Sequence, residues 1–117
     1  MLPITAVRAV YVALHRVDFR KSFDGLLAEC YHLGLDPLAG DLVLFVGRSK
    51  RLVKILFADS TGLWILSKRF SERTMRTRLR FLSEPKVQTI TQGELAMFCE
   101  GSAYQLHQRL LGARPLS

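Results

Sequence analysis

Leu42-Val43-Leu44-Phe45-Val46, Leu52-Val53-Lys54-Ile55-Leu56-Phe57-Ala58 and Leu63-Trp64-Ile65-Leu66-Ser67-Lys68-Arg69-Phe70 decide the fold. Five residues, Gly47 to Arg51, separate the first two runs, and four, Asp59 to Gly62, separate the last two. Short loops that contain glycine join neighbouring strands as hairpins, so the three runs predict an antiparallel meander. The first run holds no polar residue and is expected to be buried on both faces. Alternation along the second puts Val53, Ile55 and Phe57 on one face, and Lys54 on the other with Leu52 and Leu56. In the third, Trp64, Leu66, Lys68 and Phe70 share a face. Lys54 and Lys68 are thus basic groups on otherwise apolar strands. A long stem can cover apolar surface while the ammonium stays wet, so either lysine reads as packing or as a contact group.

Working outward, residues 7–14 are rich in Val and Tyr and read as a further strand. Phe23, Leu26, Leu27, Cys30 and Leu33 then recur at helical spacing. Asp18 is the expected N-cap of that helix. Gly34 suits a left-handed ending, with Leu35 folding back on Cys30. Asp36-Pro37-Leu38-Ala39-Gly40-Asp41 reads as a turn, because Pro37 bars a continued helix. On the other side of the meander, Arg76, Arg78 and Arg80 alternate with Thr77, Leu79 and Phe81, which predicts a strand with three guanidiniums in a row. Val87-Gln88-Thr89-Ile90 is a short extended piece. Thr91-Gln92-Gly93-Glu94 fits a capping box, and the helix it opens carries Leu95, Phe98 and Cys99. Residues 102–111 allow another helical segment. The expected architecture is a single α+β domain over residues 1–112 with a frayed tail at 113–117. A twisted antiparallel sheet of four or five strands would carry an N-terminal and a C-terminal helix over one face.

The chain has 117 residues, 49% of them hydrophobic, which suits one domain with a real core and is too short for most large enzyme folds. Its formal charge is +7. The charge is concentrated: residues 42–83 hold ten basic and two acidic groups, a net +8, while the remainder holds seven and eight, a net −1. A basic middle third points to a polyanion, nucleic acid above all. Arg favours phosphate because its fork can donate twice. The competing reading is a solvated strand face charged against edge-to-edge pairing.

Nothing singles out a catalytic or metal centre, and no cofactor is expected. Cys30 and Cys99 form no CxxC pair and read as reduced thiols of a cytoplasmic protein. Of His15, His32 and His107, none lies at a metal-ligand interval from another His or Cys except His32 with Cys30, and two residues apart on a helix those two point to different faces. No nucleophile elbow and no phosphate-cradling glycine loop occurs. Asp18, Asp24 and Asp59 leave a small metal-dependent nuclease as a minor alternative. No run of 18 apolar residues suggests a spanning helix, and no secretory signal is visible.

Asp18-Phe19-Arg20-Lys21-Ser22-Phe23-Asp24-Gly25-Leu26 resembles the opening motif of the small second-reading-frame, TnpB-type accessory proteins of bacterial family-66 insertion-sequence elements. The likeness continues through Asp36-Pro37-Leu38-Ala39-Gly40, Leu44-Phe45, Arg51-Leu52-Val53-Lys54-Ile55-Leu56, Asp59-Ser60-Thr61-Gly62 and Ser67-Lys68-Arg69-Phe70. It weakens after Phe70, where Arg78-Leu79-Arg80-Phe81-Leu82 replaces a strand that carries a Trp in the family. It resumes at Ile90–Met97. The resemblance implies a role in DNA transposition beside a separate, larger transposase that carries the acidic catalytic residues. On this reading the chain is a non-catalytic accessory protein that binds DNA, at the element ends or as nonspecific duplex, through residues 48–80. The contacts would be Arg48, Lys50, Arg51, Lys54, Lys68, Arg69, Arg76, Arg78 and Arg80. The alternative is an interaction module docking on the transposase, with the Asp18–Leu26 and Asp36–Gly40 motifs shaping its surface. The oligomeric state is left open.

Overall fold

The computed structural model describes residues 7–15, 17–47, 52–71 and 86–100. The elements run β1 (Ala9–Ala13), α1 (Phe23–His32), a 3₁₀ turn (Pro37–Ala39), β2 (Asp41–Val46), β3 (Leu52–Ala58), β4 (Leu63–Arg69), β5 (Val87–Ile90) and α2 (Gln92–Cys99). The five strands form one sheet in the order β4-β3-β2-β1-β5. The fold is α+β, with the expected meander intact: β2 pairs antiparallel with β3, and β3 with β4.

One pairing departs from the antiparallel expectation. β1 lies parallel to β2, with Ala9 opposite Asp41 and Val12 opposite Leu44. A parallel neighbour needs a long crossover, and the segment carrying α1 supplies it. β5 then returns antiparallel to β1 on the far edge.

Every residue of β2 is buried, as the apolar run Leu42–Val46 requires, and Asp41 at its start is buried with it. A strand buried on both sides needs cover on both sides, so the helices do not share one face. Leu26 and Cys30 of α1 pack with Ala13, Val43, Phe45 and Leu56. Leu95 and Phe98 of α2 pack on the opposite face with Val12, Leu44, Ile55, Phe57 and Phe70. Cys30 and Cys99 are free thiols, one beneath each helix. Burial pushes the Cys30 thiol up to about 12, helped by the charges of Glu29 and Asp41, so it is inert as a nucleophile.

Asp18 does not cap α1. The helix starts later, with Ser22 in the cap position and no side-chain cap bond. The Asp18 carboxylate instead accepts the Arg20 backbone N–H at 2.9 Å and the Arg20 Nη2 at 2.8 Å. An aspartate that can bond the backbone two residues on forms a turn in competition with a helix start. The C-terminus matches its glycine: Gly34 has φ +79°, its N–H bonds the Tyr31 carbonyl at 3.0 Å, and the Leu35 N–H bonds Cys30 at 2.9 Å. These two bonds are a Schellman ending. The capping box of α2 is also present, with Glu94 N to Thr91 Oγ1 at 3.0 Å and Thr91 N to Glu94 Oε1 at 2.8 Å. The Arg-alternating segment 76–82, the helical segment 102–111 and the tail 113–117 lie outside the described residues.

The turn before β2 is built around a buried carboxylate. Asp41, 2% exposed, accepts Arg8 Nε at 3.0 Å and the Asp36 N–H at 2.8 Å. Asp36 caps the 3₁₀ turn by accepting the Leu38 N–H at 3.1 Å. Pro37 is buried, and Gly40 closes the turn at φ +114°.

Candidate nucleic-acid interface

The register of β3 and β4 sets Leu52 opposite Arg69, Val53 opposite Lys68 and Lys54 opposite Ser67. Opposed residues point to the same face. Arg69 therefore shares the α1 face with Lys54, while Lys68 points to the α2 face. The Gly47 N–H donates to the Leu52 carbonyl at 2.8 Å and closes the base of the β2–β3 hairpin.

The Asp18–Lys21 loop packs against that base. A side chain on Gly47 would begin 3.0 Å from the Phe19 ring, so glycine is needed for the close approach. Lys54 Nζ donates to the Phe19 carbonyl at 3.0 Å, reaches the Lys21 carbonyl at 3.5 Å, and lies 5.2 Å from the Phe19 ring centroid. The loop thus holds Arg20 and Lys21 on the side of the sheet that carries Arg69. The Arg20 side chain is 92% exposed and paired with Asp18. That pairing holds the Asp18 carboxyl down at about 2, through Arg20's side-chain and backbone hydrogen bonds.

Two of the expected contact lysines are tied into the fold. Lys54 spends its ammonium on the loop carbonyls. Lys68 Nζ donates to the Cys99 carbonyl at 2.6 Å and lies 5.1 Å from the Phe70 ring centroid. A cation at the last carbonyls of α2 also complements the helix dipole. Lys54 and Lys68 thus pin one element to each face of the sheet through backbone carbonyls. Arg69 is exposed. Arg48, Lys50, Arg51, Arg76, Arg78 and Arg80 lie outside the described residues.

The remaining motif residues mostly shape the backbone. Leu26 is fully buried, whereas Phe23 is 45% exposed. Asp24 is exposed in the first turn of α1, and Gly25 lies against the Lys21 stem. Asp36, Pro37 and Gly40 form the turn before β2. Asp59 accepts Thr61 N at 2.9 Å, Thr61 Oγ1 at 3.0 Å, Gly62 N at 3.0 Å and Trp64 Nε1 at 2.8 Å. These bonds, Trp64's foremost, hold its carboxyl at about 2. The partners of Asp18 and Asp59 are cations and N–H or O–H donors within their own turns. Among the described residues no group of three or more His, Cys, Asp or Glu side chains is placed to hold a metal.

Sequence reasoning missed a second polar cluster. His15, just beyond β1 and 7% exposed, meets Glu29 Oε2 of α1 at 2.7 Å through Nε2. Lys21 Nζ donates to the other Glu29 oxygen at 3.2 Å. The only sequence signal is a histidine ending a Val-rich strand. Burial pushes the Glu29 carboxyl up, but the hydrogen bonds and charges of His15 and Lys21 outweigh it and leave the group below its ordinary value. A lowered folded pKa gives stability that is present above the unfolded value and lost as pH falls through the folded one. Unfolding free energies measured at successive pH values should therefore show Glu29→Gln costing stability near neutrality. The gap from wild type should close below about pH 4.

No helix of the described residues is long and apolar enough to cross a membrane. The chain is 36% identical over 70 residues to a protein described as uncharacterized protein y4hO from Sinorhizobium fredii (strain NBRC 101917 / NGR234), a match covering 59% of this chain and 61% of that one. The chain thus aligns with somewhat under two thirds of the length of that relative. No solved structure matches. The family model described as IS66 Orf2 like protein matches residues 8–109, from the first residues of β1 past the end of α2. With that match spanning most of its length, the chain belongs to the IS66 Orf2-like family of insertion-element proteins.

Proposed function

We propose that the chain is a non-catalytic accessory factor in transposition that binds DNA with the basic end of its sheet. The observation that carries this reading is the packing of the Asp18–Lys21 loop against the base of the β2–β3 hairpin. Lys54 holds the loop there, so Arg20 and Lys21 stand on the face that carries Arg69. The loop that this base carries holds Arg48, Lys50 and Arg51. Phosphate contacts made by such groups position a protein on DNA without reading sequence. In this proposal the chemistry of strand transfer belongs to a separate transposase, the second partner.

Binding of a random-sequence duplex tests the reading. Neutralising about four phosphates should lower the affinity roughly 100-fold between about 50 and 200 mM salt. Arg20→Glu combined with Arg69→Glu should weaken binding and flatten the salt slope. No binding at about 50 mM salt would overturn the proposal. The alternative, a module docking on the transposase, is favoured by the exposure of Phe23, Tyr31 and Leu38 on and near the Asp18–Leu26 and Asp36–Gly40 motifs. Association with the transposase that persists in nuclease-treated samples, without DNA affinity, would be its signature.

A further inference from the structure

We infer that Trp64 is a stacking platform for one unpaired base of a single nucleic-acid strand. This rests on the DNA-binding reading and adds to it a second kind of contact, on the opposite face of the sheet from Arg69.

Trp64 is the chain's single tryptophan and is 38% exposed on β4. It stands opposite Phe57 in register. The two rings are parallel to within 3°, with centroids 6.1 Å apart. One indole face is therefore turned toward Phe57 and the other away from β3. Among the described residues no strand stands beyond β4 on that side, and a third ring placed there would extend the Phe57–Trp64 stack.

The indole is also held in place. Its Nε1–H donates to Asp59 Oδ2 at 2.8 Å, and Asp59 is fixed by Thr61 and Gly62. A ring already immobilised loses little further freedom when a ligand stacks on it.

The occupant follows from size and charge. Of the exposed large apolar residues described, Trp64 is the one on the sheet; Phe23, Tyr31 and Leu38 belong to α1 and the 3₁₀ turn. One ring face is far smaller than the roughly 800 Å² per partner of a stable protein interface, but it matches one base. Bases in a duplex are already stacked, so the occupant is unpaired. Lys68 shares the face of Trp64, about 13 Å further along the strand, and is the cation on that face of β4. The Asp59 carboxylate lies at the indole edge, not over its face, and steers phosphates toward the Lys68 end of β4.

A sole tryptophan makes its own emission the reporter. A labelled oligothymidylate of about 12 nucleotides, the same backbone with abasic sites, and a random-sequence duplex are titrated into the full chain. Label anisotropy reports binding, and tryptophan emission reports stacking. Oligothymidylate should bind and quench Trp64, and the abasic strand should bind about tenfold more weakly without quenching. Trp64→Ala should weaken oligothymidylate binding by a similar factor, with Trp64→Phe falling between if the fold is kept. Oligothymidylate binding with unchanged emission, or equal quenching by the abasic strand, overturns the stacking role and leaves the DNA reading standing. Failure of all three nucleic acids to change the anisotropy overturns both.

Discussion

Phe45→Ala should cost about 3–5 kcal/mol of folding free energy, a large share of what a domain of this size holds. Phe45 is fully buried in β2, the central strand, on the face that α1 covers. Its removal takes away the transfer energy of a whole ring. It also leaves a cavity between a rigid sheet and a packed helix, which cannot collapse into it. Urea unfolding should show the midpoint moving down sharply with the slope unchanged. Phe23→Ala gives the contrast, because that ring is 45% exposed on α1. Its effect should stay within roughly 0.5–1 kcal/mol. Equal losses at the two positions would contradict a β2 covered on both faces.

Gly40→Val should be the other strongly destabilising change, at about 3 kcal/mol or more. Gly40 sits at φ +114°, where a β-branched residue is strained, and its new Cβ would lie 3.3 Å from Arg8 Cγ and 3.4 Å from Arg8 N. Arg8 has little room to yield. Its N–H bonds the Gly40 carbonyl at 2.8 Å, and its guanidinium is held by Asp41. The strain therefore reaches the parallel β1–β2 pairing that the turn introduces. Gly62, in the β3–β4 hairpin loop, has open space around the position of a Cβ. Gly62→Ala should change stability by no more than roughly 0.5 kcal/mol in the same unfolding assay.

The meander was legible because its signals are local. Apolar runs set the strands, glycine-containing loops set the hairpins, and alternation set the faces, so the two sides of β3 came out correctly around Lys54. The Gly34 ending and the Thr91–Glu94 box were legible for the same reason. The partner of β1 was not, since alternation says which way a side chain points and nothing about which strand lies alongside. Asp18 misled because one residue type serves both helix caps and tight turns. The ties of Lys54 and Lys68 were invisible because their acceptors are backbone carbonyls 35 and 31 residues away. Asp41 reads as a turn residue, and the approach of Arg8 across the parallel pair, together with the Asp36 N–H, makes its burial tolerable. Of the basic site, the sequence showed the concentration of charge, while the fold supplied the placement of Arg20 and Lys21 beside the hairpin base.

The two helices on opposite sides of the sheet decide whether the two cysteines can cross-link within the chain. A disulfide needs Cα atoms within about 7 Å of each other, and the sheet stands between Cys30 and Cys99. No cross-link within one chain can form while the sheet is intact. The described fold is therefore held by non-covalent packing, and no disulfide between these two cysteines adds to its stability.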